Sequence, residues 1–92
     1  MRYIKLHEDG NFSELSEEEF MTFPGSNAAT LATYKRLTIN IKNPDISKEV
    51  DPYTPNLSVH RILQVAFPTL SYRSSMKIAS LLVDDREEIA IL

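Results

Sequence analysis

A chain of 92 residues has room for one hydrophobic core, so the sequence predicts a single globular domain covering residues 1–92. Its 42% hydrophobic and 25% charged residues are ordinary for a globular protein, and no segment has the composition of long disorder. Because the chain contains no cysteine, disulfides, thiolate metal ligands and a cysteine nucleophile are excluded.

The sequence contains no apolar stretch long enough for a targeting or membrane segment. No apolar run follows the first five residues, which argues against a signal peptide. No run approaches the roughly 20 residues that a membrane-spanning helix needs. Together with the lack of cysteine, which fits a reducing compartment, these observations predict a cytoplasmic protein that does not enter a membrane.

Charge is segregated along the chain, although the net charge is only −3. Residues 1–25 carry two basic and six acidic side chains, residues 26–83 carry seven basic and three acidic ones, and residues 84–92 carry one basic and four acidic ones. One interpretation is that these are solvated faces that neutralise one another in the fold. The other is that acidic and basic surfaces each bind a partner. That interpretation makes two acidic clusters candidate partner-binding sites: Glu17, Glu18, Glu19, Asp84, Asp85, Glu87 and Glu88.

The N-terminal part predicts a strand followed by a short capped helix. Residues 2–7 alternate between apolar and polar, as in a half-buried strand, and residues 8–11 contain the Asp-Gly pair typical of a turn. Ser16 and Glu19 have the spacing of a capping box, in which each side chain accepts a hydrogen bond from the backbone N–H of the other residue. The proline at position 24 predicts that this helix ends by Phe23.

The central part of the chain allows two interpretations. Residues 26–32 begin like a capped helix, whereas residues 37–42 alternate like a strand. A strand that extends back to Thr30 is the alternative, so residues 28–36 are left open between helix and strand. Residues 43–56 contain three prolines and predict a connection with at most one helical turn at residues 46–50.

Two helices are predicted in the C-terminal part. The first ends at Phe67 and begins at one of two cap residues, Thr54 or Ser58. The second begins at one of two capping serines, Ser71 or Ser74. Residues 76–83 of this second helix are apolar on most sides, which predicts that they form the most buried element. Residues 87–92 predict a short strand or a final helical turn.

These elements predict an α+β fold: a small antiparallel sheet of about three strands, with three or four short helices packed on one face. The expected centre of the core comes from the two C-terminal helices: Ile62, Leu63, Ala66, Met76, Ala79 and Leu82. The expected sheet contribution is Ile4, Leu6, Leu37, Ile39 and Ile41.

The sequence lacks the patterns of catalytic and metal sites. Its two histidines, His7 and His60, stand in different elements without further ligands at metal-binding spacing, and both are expected on surfaces. Ser74 and Ser75 have no histidine–acid pattern near them in sequence, and two glycines cannot build a phosphate-binding loop. We therefore expect no enzyme activity, no cofactor and no metal.

Residues 57–83 also fit a DNA-binding helix-turn-helix, which is the alternative function. Its second helix would read the major groove through its first turns, and the basic residues around it would contact phosphates. The residues that this alternative requires are Lys35, Arg36, Arg61, Tyr72, Arg73, Ser74 and Lys77, with Lys42 as a further phosphate contact. Four acidic residues follow the second helix within five positions, which weighs against phosphate binding.

The function expected from these observations is that of a non-catalytic protein-binding domain. Such a domain would occupy a surface of a larger protein or nucleoprotein complex, as an inhibitor or antitoxin does. An inhibitor encoded by a virus or mobile element and directed at a host defence complex, such as a CRISPR effector, is one concrete member of this class. Direct binding to duplex DNA is expected only under the alternative, and a homodimer is compatible with the small size of the domain.

Overall fold

The computed structural model describes residues 1–23, 29–34 and 38–92, which form a six-stranded mixed sheet and three helices. The expected three-stranded antiparallel sheet is therefore wrong. In chain order the elements are β1 (Arg2–Leu6), β2 (Phe12–Leu15), α1 (Glu17–Thr22), β3 (Ala29–Tyr34), β4 (Thr38–Lys42), β5 (Ile46–Glu49), α2 (Pro55–Ala66), α3 (Tyr72–Val83) and β6 (Ile89–Ile91).

The strands lie in the order β2-β1-β6-β3-β4-β5. Strand β6 runs parallel to β1, with Arg2 opposite Ile89, and every other neighbouring pair is antiparallel. The last strand of the chain is thus inserted between the N-terminal hairpin and the hairpin formed by β3 and β4. All three residues of β6 are buried, which identifies it, and not residues 76–83, as the most completely buried element.

Two strands correct the sequence-based predictions, and two others decide between alternatives that the sequence left open. Strands β2 and β5 were not predicted, and β5 occupies the segment expected to hold at most one helical turn. Strand β3 confirms the strand alternative for residues 29–34, while residues 24–28 and 35–37 lie outside the described part, and β6 confirms the strand alternative at residues 89–91. Alanine is the strongest helix former, but intrinsic propensity is a small energy, and pairing with β4 and β6 on both sides outweighs it.

The predicted helix caps are largely confirmed. Ser16 and Glu19 form the capping box, with both hydrogen bonds at 3.1 Å, and Phe23 is the C-cap of α1. Helix α2 begins after Thr54, although the Thr54 hydroxyl bonds Asp51 and caps no backbone N–H. Ser71 caps α3 by accepting a hydrogen bond from the backbone N–H of Ser74. None of the helices in the described ranges has the length and apolar character needed to cross a membrane.

Helices α2 and α3 pack on one face of the sheet and α1 on the other, which corrects the expectation that all helices share a face. The Thr33 hydroxyl donates a hydrogen bond to the Leu82 carbonyl of α3, which ties that helix to β3. Tyr3 alternates with the buried Ile4 and so points to the opposite face, where its ring lies 4.8 Å from that of Phe20 in α1.

The core lies between the helix pair and the sheet. Most of the expected core residues belong to it, but Ile62, Ala66, Met76 and Leu6 are only partly buried, and Leu37 lies outside the described residues. The core also contains buried residues that the sequence analysis did not place in it, from strands β3 and β6, helices α2 and α3, and the connections at Val50 and Leu70: Ala29, Leu31, Val50, Val59, Leu70, Ile78, Val83, Ile89 and Ile91.

The turn between β1 and β2 packs against the turn between α2 and α3. Gly10 is buried with φ of +90°, and its carbonyl accepts a hydrogen bond from the backbone N–H of Ser71 at 3.0 Å. A Cβ at Gly10 would lie 3.0 Å from the Thr69 carbonyl oxygen, so both the conformation and the space require glycine here. This contact places the N-terminal hairpin beside the first turn of α3.

We predict that Leu82→Ala lowers the free energy of unfolding by about 2–5 kcal/mol, because Leu82 is fully buried and the truncation leaves a cavity. Val65→Ala is the matched control, because Val65 is 80% exposed and its truncation should cost well under about 1 kcal/mol. Urea melts of both variants measure the difference. Equal losses in the two variants would contradict the assigned core.

Candidate partner-binding surface

The sheet register brings the two acidic segments of the sequence to the same end of the sheet. Leu15 at the end of β2 lies opposite Tyr3 near the start of β1, and Ile89 at the start of β6 lies opposite Arg2. The helix that follows β2 and the connection that precedes β6 therefore leave the sheet at one end. Only β1 separates β2 from β6, so the two segments are about 10 Å apart in the sheet direction.

We name this end of the sheet the acidic corner. Helix α1 lies there on one face of the sheet and the end of α3 on the other. Its carboxylates are all seven acidic residues proposed from the sequence and one further residue from β2: Glu14, Glu17, Glu18, Glu19, Asp84, Asp85, Glu87 and Glu88. Six of the seven proposed side chains are exposed and Glu87 is half-buried. The cations nearest these carboxylates are Arg2 of β1, which forms a salt bridge with Glu14, Arg86 in the segment after α3, and Lys77, which lines the same groove as Glu14.

Arg2 contacts both β2 and the segment before β6. One of its terminal nitrogens lies 2.9 Å from a Glu14 carboxylate oxygen, and its Nε lies 3.7 Å from a Glu87 oxygen, beyond hydrogen-bonding distance. The backbone N–H of Arg2 also donates to the Glu88 carbonyl at 2.8 Å. Arg2 thereby connects β2, β1 and the segment before β6, and it offsets the repulsion between two carboxylates. Sequence analysis missed Arg2 and Glu14 because their partners are distant in the chain.

The segment after α3 has a defined backbone path. The N–H of Glu87 bonds the Leu81 carbonyl at 3.0 Å, and Arg86 has φ of +51°, in the left-handed region that non-glycine residues seldom adopt. The Asp84 carboxylate accepts hydrogen bonds from Ser80 at 2.9 Å and from Asn56 at 3.0 Å. These contacts fix the direction in which the acidic residues leave the helix.

In both acidic segments some carboxylates accept hydrogen bonds from the protein and others are exposed without a salt bridge among the described residues. Glu19 serves the capping box and Asp84 accepts side-chain hydrogen bonds, whereas Glu18 and Glu88 are exposed and form no salt bridge within residues 1–23, 29–34 and 38–92. Because the backbone of both segments is already fixed, the exposed carboxylates can bind a basic partner surface without the entropy cost of ordering a loop.

The described residues of the DNA-binding alternative are brought together only in part, in the first two turns of α3. Lys35 and Arg36 lie outside the described residues, and Ser74 is buried. Arg61 lines a groove beside β5, whereas Lys77 lines a groove beside β2, and these strands are opposite edges of the sheet. Tyr72 and Arg73 are exposed in the first turn of α3, and Lys42 is exposed at the end of β4.

The turn between β1 and β2 lies directly beside the start of α3. The β1–β2 turn, with its acidic residues Glu8 and Asp9, packs against Ser71 directly before that helix. Hydrogen bonds from the Asn11 backbone and side chain lower the pKa of the Asp9 carboxyl, so this turn carries a firmly ionised carboxylate. The resulting electrostatics at the expected reading end of α3 disfavour phosphates.

His60 is buried, contrary to the expectation of a surface histidine. Its Nδ1 lies 2.5 Å from the Ser75 hydroxyl oxygen, and its ring meets that of Tyr72 edge-on at 4.5 Å. Ser75 donates its one hydroxyl proton to the Tyr72 carbonyl, so the His60 Nδ1 must be the donor in its bond to Ser75. His7 is half-buried, and its Nε2 lies 2.6 Å from the Ser13 hydroxyl.

The His60–Ser75 pair joins α2 to α3 and is not arranged for nucleophilic catalysis. A serine nucleophile needs a histidine that accepts its proton, but here the histidine donates, and Ser75 is 0% exposed. Within the described ranges, no three His, Cys, Asp or Glu side chains lie close enough to hold a metal ion.

Comparisons with known proteins found no relative of this chain. No protein-family model, no curated protein and no solved structure matches the chain.

We predict that Arg2→Met lowers the free energy of unfolding by about 1 kcal/mol in low salt, because it leaves Glu14 and Glu87 facing each other without a cation. Added salt screens that repulsion, so the loss should shrink at about 0.5 M NaCl. Thermal melts at the two salt concentrations test this. A loss that is independent of salt would show that Arg2 acts through packing alone.

The stability of the protein should fall as the pH decreases below about 6.5, the ordinary pKa of histidine. Burial, and secondarily the charge of Arg61, lowers the pKa of His60 in the folded state. The unfolded chain therefore binds more protons between the lowered pKa and about 6.5, which favours unfolding there. His60→Gln should have a flatter stability profile between about pH 7 and pH 5. Parallel profiles for the two proteins would contradict this role.

Proposed function

We propose that this protein is a non-catalytic protein-binding domain whose acidic corner occupies a basic surface of a larger protein or nucleoprotein complex. The observation that supports the proposal is the strand register, which brings two acidic segments separated by more than 60 residues to the same end of the sheet. Neutralisation within the fold is the simpler use of such charges, but the salt bridges of the described residues engage only Glu14 and Glu87.

The chemistry of the corner indicates what kind of partner it fits. Carboxylates on a rigid frame present negative charge and hydrogen-bond acceptors, as phosphates do, so they complement a groove lined by arginine and lysine. Such grooves normally hold nucleic acid. The protein would then act as an inhibitor that competes with nucleic acid, and a host defence complex such as a CRISPR effector is a suitable target. An antitoxin that covers the basic site of a toxin would use the same chemistry.

Duplex DNA is a less suitable partner than a basic protein. Its phosphates would meet the acidic corner at one end of α3 and the β1–β2 turn at the other, while the candidate cations lie at opposite edges of the sheet. We further propose that the protein works in the cytoplasm, where a chain without cysteine loses nothing in a reducing environment.

The test compares two variants with the same change in net charge. Glu18→Lys/Glu88→Lys reverses two exposed carboxylates of the corner. Glu8→Lys/Glu49→Lys reverses two exposed carboxylates outside it, in the β1–β2 turn and on the edge strand β5. Each variant and the unaltered protein is used as bait in a lysate of the native host, and the association rate with any purified partner is measured by surface plasmon resonance.

We expect the corner variant to lose the partner, with an association rate lower by about tenfold or more at low salt, because opposite charges steer association. The control variant should behave like the unaltered protein. Equal binding by all three proteins would contradict the role of the corner. Tight binding of the unaltered protein to duplex DNA near physiological salt, with no protein partner recovered, would favour the helix-turn-helix alternative instead.

A further inference from the structure

A second candidate surface lies at the edge of the sheet formed by β5, away from the acidic corner. Strand β5 is the outermost strand in the described sheet, so its outer side has no strand partner there. Lys48 lies opposite the buried Ile39, and Ile46 lies opposite the buried Ile41, so both point toward the helix-covered face. They meet α2, which runs beside this edge.

Between β5 and α2 there is a groove of about 360 Å³, which we name the edge groove. It is lined by three apolar and two basic side chains: Ile46, Ile62, Val65, Lys48 and Arg61. Val65 is 80% exposed although it is a branched apolar residue on a helix that otherwise turns its apolar side chains inward. An apolar groove beside an open strand edge is the geometry that binds extended peptides by strand addition.

The positive charges of Lys48 and Arg61 at the edge groove favour a negatively charged ligand. In the part of the chain that the structure describes, Lys48 and Arg61 form no salt bridge, so neither cation at this apolar groove has a carboxylate oxygen within 4.0 Å. A second copy that added its own β5 about a twofold axis would place these cations against their counterparts. A segment with carboxylates beside apolar side chains would complement both properties of the groove.

We propose that the edge groove binds an extended acidic segment of a partner protein, which adds to the sheet as a strand beside β5. Its alternate side chains enter the groove, with apolar ones against Ile62 and Val65 and carboxylates beside Lys48 and Arg61. This surface is separate from the acidic corner, so the proposal does not depend on the function assigned to that corner.

The probe is a fluorescein-labelled peptide with the sequence Thr-Glu-Thr-Val-Thr-Val-Thr-Glu. Its counterpart carries lysine in place of both glutamates. Fluorescence anisotropy with the full chain at low salt should show that the acidic peptide binds about tenfold or more tightly than the basic one. Lys48→Glu/Arg61→Glu should reverse this preference, and Val65→Ser should weaken the acidic peptide several-fold through loss of apolar contact.

Lys42→Glu/Lys77→Glu is the control, because it changes the net charge equally with two exposed lysines outside the groove. It should retain the preference for the acidic peptide. Equal binding of both peptides, equal effects of the two double variants, or no binding up to about 1 mM peptide would overturn the proposal. A homodimer in sedimentation experiments that dissociates on Val65→Ser would also overturn it, because a second copy would then cover the groove.

Discussion

Strand β6 joins the two parts of the sheet, because it pairs in parallel with β1 on one side and antiparallel with β3 on the other. Its three residues are buried, and backbone bonds at both of its ends continue the pairing: Arg2 N–H donates to the Glu88 carbonyl, and Leu92 N–H donates to the Ile4 carbonyl. Without this strand, β1 and β3 would be unpaired edges of two separate hairpins. The fold therefore depends on contacts between residues more than 50 positions apart.

The same pairing determines where the charges lie. Because β6 is parallel to β1, the connection from α3 enters the sheet at the end where β2 leaves it, and the two acidic segments meet there. Arg2 occupies the position between them. The basic residues of the central part of the chain are distributed differently, since Arg61 and Lys77 lie beside opposite edge strands. The acidic segments of the sequence thus lie at one end of the sheet, whereas Lys48 and Arg61 line the groove beside β5 and Lys77 lines the groove beside β2.

Local features of the sequence were sufficient to predict part of this fold. The Ser16–Glu19 capping box depends on residues within one helical turn. For α2 and α3 the sequence limited the cap to two candidates each, and the structure has Thr54 and Ser71 at these positions. The alternation in β1 and β4 likewise identified them as strands. Such signals require no knowledge of which element lies next to which.

Strands β2 and β5 were not predicted, and residues 28–36 and 87–92 were left open between helix and strand, because the partners of these segments are distant in the chain. Strand β5 contains one apolar residue, Ile46, and exists through its pairing with β4. Strand β3 is rich in alanine and threonine, and burial between two strands decides its state. His60 looked like a surface residue because its hydrogen-bond partner, Ser75, belongs to another helix. For the acidic corner, the sequence contained the carboxylates, but only the parallel register shows that they meet.

The meeting of the two acidic segments can be measured directly, because the chain has no cysteine and an introduced one carries a single spin label. A nitroxide at Glu88→Cys should broaden the backbone amide signals of residues 16–19 in NMR spectra much more than those of residues 8–10. The reason is that α1 begins at the same end of the sheet and the β1–β2 turn lies at the other. Stronger broadening at residues 8–10 than at residues 16–19 would contradict the parallel pairing of β1 with β6, and with it the acidic corner.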